Sequence, residues 1–240
     1  MSRSTVLAVA AIATLSACGM VRAESGDNGS SGSRSFSVRG FDQVSLRGSD
    51  NVIVHVGGAE SVTATGPSDV LDRLKVEVVN GELRIGREKK WNMGWSSDRK
   101  GVTVTVTMPR IRGASVAGSG DMDVDRAQAS SFEASVAGSG NLSVNRLQAE
   151  AASLSIAGSG NASITGQARS IDVSIAGSGD LAAGGLKAER AKISIAGSGG
   201  VRAQVSGEAD VSIVGSGDVD LVGNPRCKVS KMGSGEVRCS

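Results

Sequence analysis

The phrase SIAGSG stands at Ser155–Gly160 and returns at Ser174–Gly179 and Ser194–Gly199. Close variants are SVAGSG at Ser115 and Ser135, SIVGSG at Ser212 and SKMGSG at Ser230. The first glycine of each Gly-Ser-Gly falls at 118, 138, 158, 177, 197, 215 and 233, with gaps of 20, 20, 19, 20, 18 and 18. Aligned on that glycine, the residue two before it reads Val116, Val136, Ile156, Ile175, Ile195, Ile213 and then Lys231. Four before it stand Ala114, Ala134, Leu154, Val173, Ile193, Val211 and Val229. Beyond the Gly-Ser-Gly, one apolar column runs from Met122 to Val237 and another from Val124 to Cys239. Serine fills the position three before the glycine every time.

Alternation with period two on both sides of the Gly-Ser-Gly describes two short strands per repeat, each with one apolar and one polar face. A repeat of this length is too short for a helix pair and lacks a leucine-rich pattern. It fits one coil of a β-solenoid, in which equivalent residues stack from coil to coil. The chain is therefore expected to be all-β, a repetitive β-solenoid or β-helix with coils of 18–20 residues. The glycines read as a repeated sharp corner, since glycine accepts positive φ without a Cβ clash. A phosphate-binding glycine loop opens a helix and occurs once, whereas this motif sits between strands and recurs.

A worn copy of the repeat lies far upstream. Val44-Ser45-Leu46-Arg47-Gly48-Ser49-Asp50-Asn51-Val52-Ile53-Val54 overlays Ala114–Val124, with Asp50 in place of the second glycine. Further strands are expected at Val62–Ala64, Leu74–Val79, Leu83–Ile85 and Val102–Met108, with a tight turn at Asn80-Gly81 and a helical turn within Asp69–Leu74. This forms a less regular N-terminal β region.

Composition limits the function. The 240 residues hold 26 basic and 24 acidic side chains, 34 glycines, no tyrosine and a single histidine. The near-neutral balance argues against a nucleic-acid partner, which needs a basic face. Val6–Ala17 is an apolar run behind Arg3, too short for a lasting membrane span and suited to a signal peptide. It ends in Leu15-Ser16-Ala17-Cys18, similar to the lipobox of bacterial lipoproteins. Residues 1–17 are thus expected to be a signal peptide and Cys18 the lipid attachment site. The alternative is cleavage after residue 23. Residues 18–35, rich in Gly and Ser, read as a flexible tether, and residues 36–240 as one domain.

Gly40-Phe41-Asp42-Gln43-Val44, the Val76–Ile85 stretch with Asn80-Gly81-Glu82-Leu83, Val102–Pro109 and the Gly-Ser-Gly-Asp/Asn coils together resemble the bacterial head GIN domain family, whose name ties it to autotransporter adhesin heads. The resemblance covers about residues 36–240. It implies an exported β-solenoid domain and supplies no catalytic site.

The candidate residues each have a plain structural reading. His55 is expected on the outer face of a strand. The column Asp121, Asn141, Asn161, Asp180, Gly200, Asp218 and Glu236 offers oxygen ligands, and Asp121, Asp123 and Asp125 have the spacing of the first EF-hand ligands. The later loop positions of that motif are missing, so no metal or cofactor is assigned, and the column reads as residues that tolerate the corner conformation. Lys89–Lys100 holds both tryptophans. Trp91 and Trp95 either contact a ligand such as a glycan or fold back over one end of the solenoid.

A solenoid end needs a cap, because it otherwise exposes strand edges and apolar interior. The last repeat departs from the pattern at Lys231. Its two cysteines, Cys227 and Cys239, both fall in interior columns, and a disulfide between them is expected. The chain then reads as an exported, non-enzymatic cell-envelope binding or structural module, adhesin-like. It would lie in the periplasm or on the outer membrane as a lipoprotein, or else be secreted to the cell surface. Its partners would be an envelope glycan, a surface polymer or another protein, and the membrane through its lipid. The alternative is a secreted carbohydrate-active enzyme on a β-helix scaffold. That needs clustered acids, bases and aromatics, which the repetitive face does not offer.

Overall fold

A computed structural model describes residues 31–88 and 101–240. The strands are β1 (Ser31–Phe36), β2 (Gln43–Gly48), β3 (Asn51–Val56), β4 (Ser61–Pro67), β5 (Leu74–Val79), β6 (Glu82–Arg87), β7 (Thr103–Met108), β8 (Gly113–Gly118) and β9 (Met122–Val124). They continue as β10 (Ala127–Gly138), β11 (Asn141–Gly158), β12 (Asn161–Gly177), β13 (Leu181–Gly197), β14 (Val201–Gly215), β15 (Val219–Val222), β16 (Arg226–Gly233) and β17 (Val237–Cys239). One helical turn, α1 (Ser68–Leu71), interrupts them.

From β8 onward the chain winds as a parallel β-solenoid. Each of β11, β12 and β13 runs from one Gly-Ser-Gly corner to the next and pairs in parallel with the coils on either side. The columns read from the sequence are the pairing register: Leu154 faces Val173, Val173 faces Ile193 and Ile193 faces Val211. These side chains are buried, and with the other inward columns they form one continuous apolar core. Variation in repeat length is absorbed away from the Gly-Ser-Gly corner. The 19-residue coil drops one residue between Val144 and Leu147 of its neighbour. The first 18-residue coil drops residues between Ala183 and Lys187 and regains one between Ala188 and Arg190. The corner stays constant while these irregular stretches give way.

The Gly-Ser-Gly corner has a specific hydrogen-bond logic. The carbonyl of Gly138 accepts two bonds from the next coil, from the backbone N–H of Ser159 and of Gly160, each 2.9 Å. The same pair of bonds recurs from Ser119 and Gly120 to Gly48 and from Ser178 and Gly179 to Gly158. Gly158 has φ +120°, a region that side chains resist. Gly160 is glycine for another reason. A Cβ there would run into the carbonyl oxygen of Gly140 and lie 2.7 Å from Val136 Cγ1. The first glycine thus serves orientation and, with its own Cβ position 2.5 Å from the Gly138 oxygen, close approach as well, while the second serves close approach.

The upstream copy is the adjoining coil. β2 pairs with β8 so that Val44 faces Ala114 and Gly48 faces Gly118. β3 pairs with β9 so that Val52 faces Met122. The chain between them adds a layer beyond that coil: β6 lies parallel to β2 and β7 parallel to β3. Antiparallel strands follow, β5 on β6 and β4 on β7. The β5–β6 turn is Asn80-Gly81 with φ +54° and +79°, the positive pair of a two-residue hairpin turn. The expected helical turn is α1, which buries Val70 and Leu71.

The tether boundary needs correction. Ser31–Phe36 forms β1, paired antiparallel with β4 from Ser31–Pro67 to Phe36–Val62. Residues 31–35 therefore belong to the domain. Their Gly/Ser composition suggested a linker, but strand addition draws on backbone groups that every residue carries.

Candidate functional site

The outward faces of the coils carry the chemistry, because the inward ones are filled by the core. Two stacked amide-bearing columns stand out, and they differ in how their hydrogen bonds are used.

The first is the column after Gly-Ser-Gly. Asn51 Oδ1 accepts the backbone N–H of Asp121 at 3.3 Å. Asp121 Oδ1 accepts both the N–H and the side-chain amide of Asn141, at 3.0 and 2.8 Å. Asn161 Oδ1 accepts the N–H of Asp180 at 3.0 Å, and Asp180 Oδ1 that of Gly200 at 2.7 Å. Asp218 Oδ1 accepts the N–H of Glu236 at 2.8 Å. The expectation that these residues tolerate the corner conformation is thereby corrected. Among the described residues, only Asn80 and Asn224 are non-glycine residues with positive φ. The column instead supplies acceptors for N–H groups of the next coil, which would otherwise turn to solvent. Asp123 and Asp125 are likewise engaged elsewhere, Asp123 with the Asn145 amide at 3.1 Å and Asp125 with the Val56 N–H at 3.0 Å. His55 lies on the outer face of β3, 3.6 Å from Asp125.

The second column lies further along each coil. Gln128, Gln148 and Gln167 stack in register, followed by Lys187 and Gln204. Beside them run Ala129, Ala149 and Ala168, also in register. Ser130, Glu150, Arg169 and Glu189 form the opposite wall of a shallow groove of about 560 Å³. Arg169 and Glu189 approach to 4.0 Å. Among the described residues no hydrogen bond engages the side-chain amides of Gln128, Gln148 or Gln167. Sequence reasoning passed over this column, although its members recur at the repeat spacing and were visible in the alignment.

The end of the solenoid matches its sequence signal. Cys227 and Cys239 form a disulfide, with Cα atoms 6.7 Å apart. Cys227 stacks on Ala209 and Cys239 on Leu221, the interior columns. Lys231 stands opposite Ile213, and its Nζ donates to the Gly235 carbonyl at 2.9 Å. Val229 and Met232 of this coil are exposed. Cys18, Trp91 and Trp95 lie outside the described residues.

A family model described as "Putative auto-transporter adhesin, head GIN domain" matches residues 40–225. The chain belongs to the head GIN domain family. Its fold recurs in solved structures that it resembles along nearly their whole length. A putative adhesin from Bacteroides fragilis NCTC 9343 superposes with TM-score 0.77 at 20% identity, covering 87% of this chain and 96% of that one. A putative lipid binding protein from Parabacteroides distasonis ATCC 8503 gives 0.69 at 24% identity, covering 88% and 96%. A putative adhesin from the same strain gives 0.65 at 21% identity, covering 88% and 97%. At these identities the likeness is one of fold. No functionally curated protein matches this head GIN domain chain.

Proposed function

We propose that this protein is a non-enzymatic, adhesin-like binding module of the cell envelope, exported and held to the membrane by lipid on Cys18. The observation that carries the reading is the in-register stacking of outward columns. Many outward positions repeat one small or polar side chain in successive coils, such as Ser135, Ser155, Ser174 and Ser194, or Ala137, Ala157, Ala176 and Ala196. The result is a set of faces in which stripes of small and polar side chains run beside columns of changing charge, such as Asp172, Lys192 and Asp210. Such faces suit recognition of an extended surface, where many weak contacts add through multivalency. Catalysis needs a different arrangement, with unlike groups converging on one reacting atom. The adhesin wording of the family description supports the same reading.

The test is adherence. Beads coated with the purified full chain are presented to bacterial envelope fragments, immobilised glycans and extracellular matrix proteins. Saturable retention on at least one surface, with the polymer recovered at unchanged length, is the expected result. Retention no greater than that of bare beads, or shortened polymer, overturns the reading. Incorporation of labelled fatty acid that disappears in Cys18→Ala checks the anchor. Equal labelling of the two chains removes it.

A further inference from the structure

We infer that the groove between the glutamine column and the Glu150–Arg169–Glu189 wall binds an extended, hydroxyl-rich glycan laid along the solenoid axis. This rests on the adhesin-like reading and assigns the site and the ligand class within it.

The argument begins with the contrast between the two columns. Both stack amide or carboxylate side chains coil upon coil. The oxygens of Asp121, Asn161, Asp180 and Asp218 are committed to backbone N–H groups of the neighbouring coil. Gln128, Gln148 and Gln167 are exposed, and among the described residues their amides bond nothing within the protein. Each presents one acceptor oxygen and two donor hydrogens to the outside. The adjacent Ala129, Ala149 and Ala168 keep the floor low, so a ligand reaches the amides from the side.

Spacing selects the ligand class. Strands in one sheet are ~4.8 Å apart, and the glutamines therefore recur at that interval along the axis. One pyranose ring of an extended glycan spans close to one such rung and carries hydroxyl or acetamido groups that both donate and accept. An extended peptide advances by ~3.3 Å per residue and falls out of step with the column. A nucleic acid is disfavoured by the wall, where Glu150 and Glu189 outnumber Arg169. Three stacked glutamines define three consecutive ring sites, and Lys187 ends the run.

The experiment titrates the full chain with β-1,4-linked N-acetylglucosamine and glucose oligomers of one to six rings, by calorimetry. Affinity for one or both series is expected to rise steeply from one ring to three and then to level. Gln148→Ala and Gln167→Ala should each weaken binding about fivefold, and together more than tenfold. Because both side chains are exposed, circular dichroism and melting should stay as in the wild type. Bead adherence is measured in parallel on immobilised β-1,4-glucan and β-1,4-N-acetylglucosamine polymers before and after digestion with cellulase and chitinase. Digestion should abolish retention, and the double variant should reduce it. Retention that survives digestion, oligomer binding indifferent to ring number, binding unchanged in the double variant, or no oligomer binding at all overturns the glycan groove. Each of these leaves the adhesin-like reading standing if the beads still adhere. Loss of adherence on every surface overturns both.

Discussion

Asp50 is fully buried and takes a two-pronged contact from Arg87, with Arg87 Nε at 2.9 Å from Oδ2 and a guanidinium nitrogen on Oδ1. Its Oδ1 also accepts the backbone N–H of Val102 at 2.9 Å. Asp50 occupies the place that the second glycine of Gly-Ser-Gly holds in later coils. Each of those glycines lies against the carbonyl of the preceding coil, as Gly160 does against Gly140. Here the regular stack gives way to the N-terminal layer, and the space is filled by a carboxylate that ties β2–β3 to β6 and to the start of β7. Asp50→Ala should cost about 2–3 kcal/mol, because the buried Val102 N–H loses its acceptor and Arg87 loses this contact. Urea unfolding measures this. A paired apolar replacement, Asp50→Leu with Arg87→Met, should recover much of the loss. A paired variant as unstable as Asp50→Ala alone would show that the layer depends on the charges themselves.

The disulfide should brace the last coil and little else. In a solenoid each coil contacts only its neighbours, and the cysteines are 12 residues apart. Reduction, or Cys227→Ala with Cys239→Ala, is expected to remove about 3 kcal/mol at most. Amide exchange should accelerate in residues 226–240 and stay slow in β11–β13. Uniform loss of protection along the rod would contradict this local role.

Lys231 interrupts the interior column below Ile213 and turns its ammonium to the Gly235 carbonyl. A charge placed there blunts the strand edge against pairing with another chain. Lys231→Ile should therefore promote concentration-dependent self-association, visible as larger species by analytical ultracentrifugation. A variant that sediments as the wild type does across the same concentrations would remove the guarding role.

Acid should weaken the N-terminal layer through Glu82. Burial pushes its carboxyl up, but hydrogen bonds from Arg84 and Ser45 and the charges of Arg84 and Arg47 outweigh that and hold it below its ordinary value. Arg84 Nε lies 2.7 Å from Glu82 Oε2. A carboxyl lowered in the folded state stabilises the fold above its unfolded value, and that contribution fades as pH falls through the folded value. Glu82→Gln should thus cost under about 1 kcal/mol at neutral pH, and the gap to wild type should close in acid. A gap that is constant with pH would assign the effect to packing instead.

Much of this was legible in the sequence because a solenoid writes its contacts at a fixed interval. Val116, Val136 and Ile156 lie 20 residues apart and are also spatial neighbours. The same rule placed Cys227 and Cys239 in inward columns of one coil. What the interval does not encode was missed. Arg87 meets Asp50 across 37 residues and a change of layer, so no column contains both. The Asn/Asp column reads as backbone tolerance in the sequence because its real partners are N–H groups, which leave no mark there. The start of the domain is not legible in the sequence because β1 is held by pairing with β4 rather than by a distinctive composition.

If the repeated phrase is a stacking corner and not a ligand loop, a single methyl group at its tightest point must unsettle the fold. Equilibrium urea unfolding of Gly160→Ala, beside Ser159→Ala, decides this. Gly160→Ala should lose about 1–3 kcal/mol through overpacking against the Gly140 carbonyl, while Ser159→Ala should stay within ~0.5 kcal/mol of wild type. A Gly160→Ala protein that unfolds at the wild-type urea concentration would contradict the stacking role.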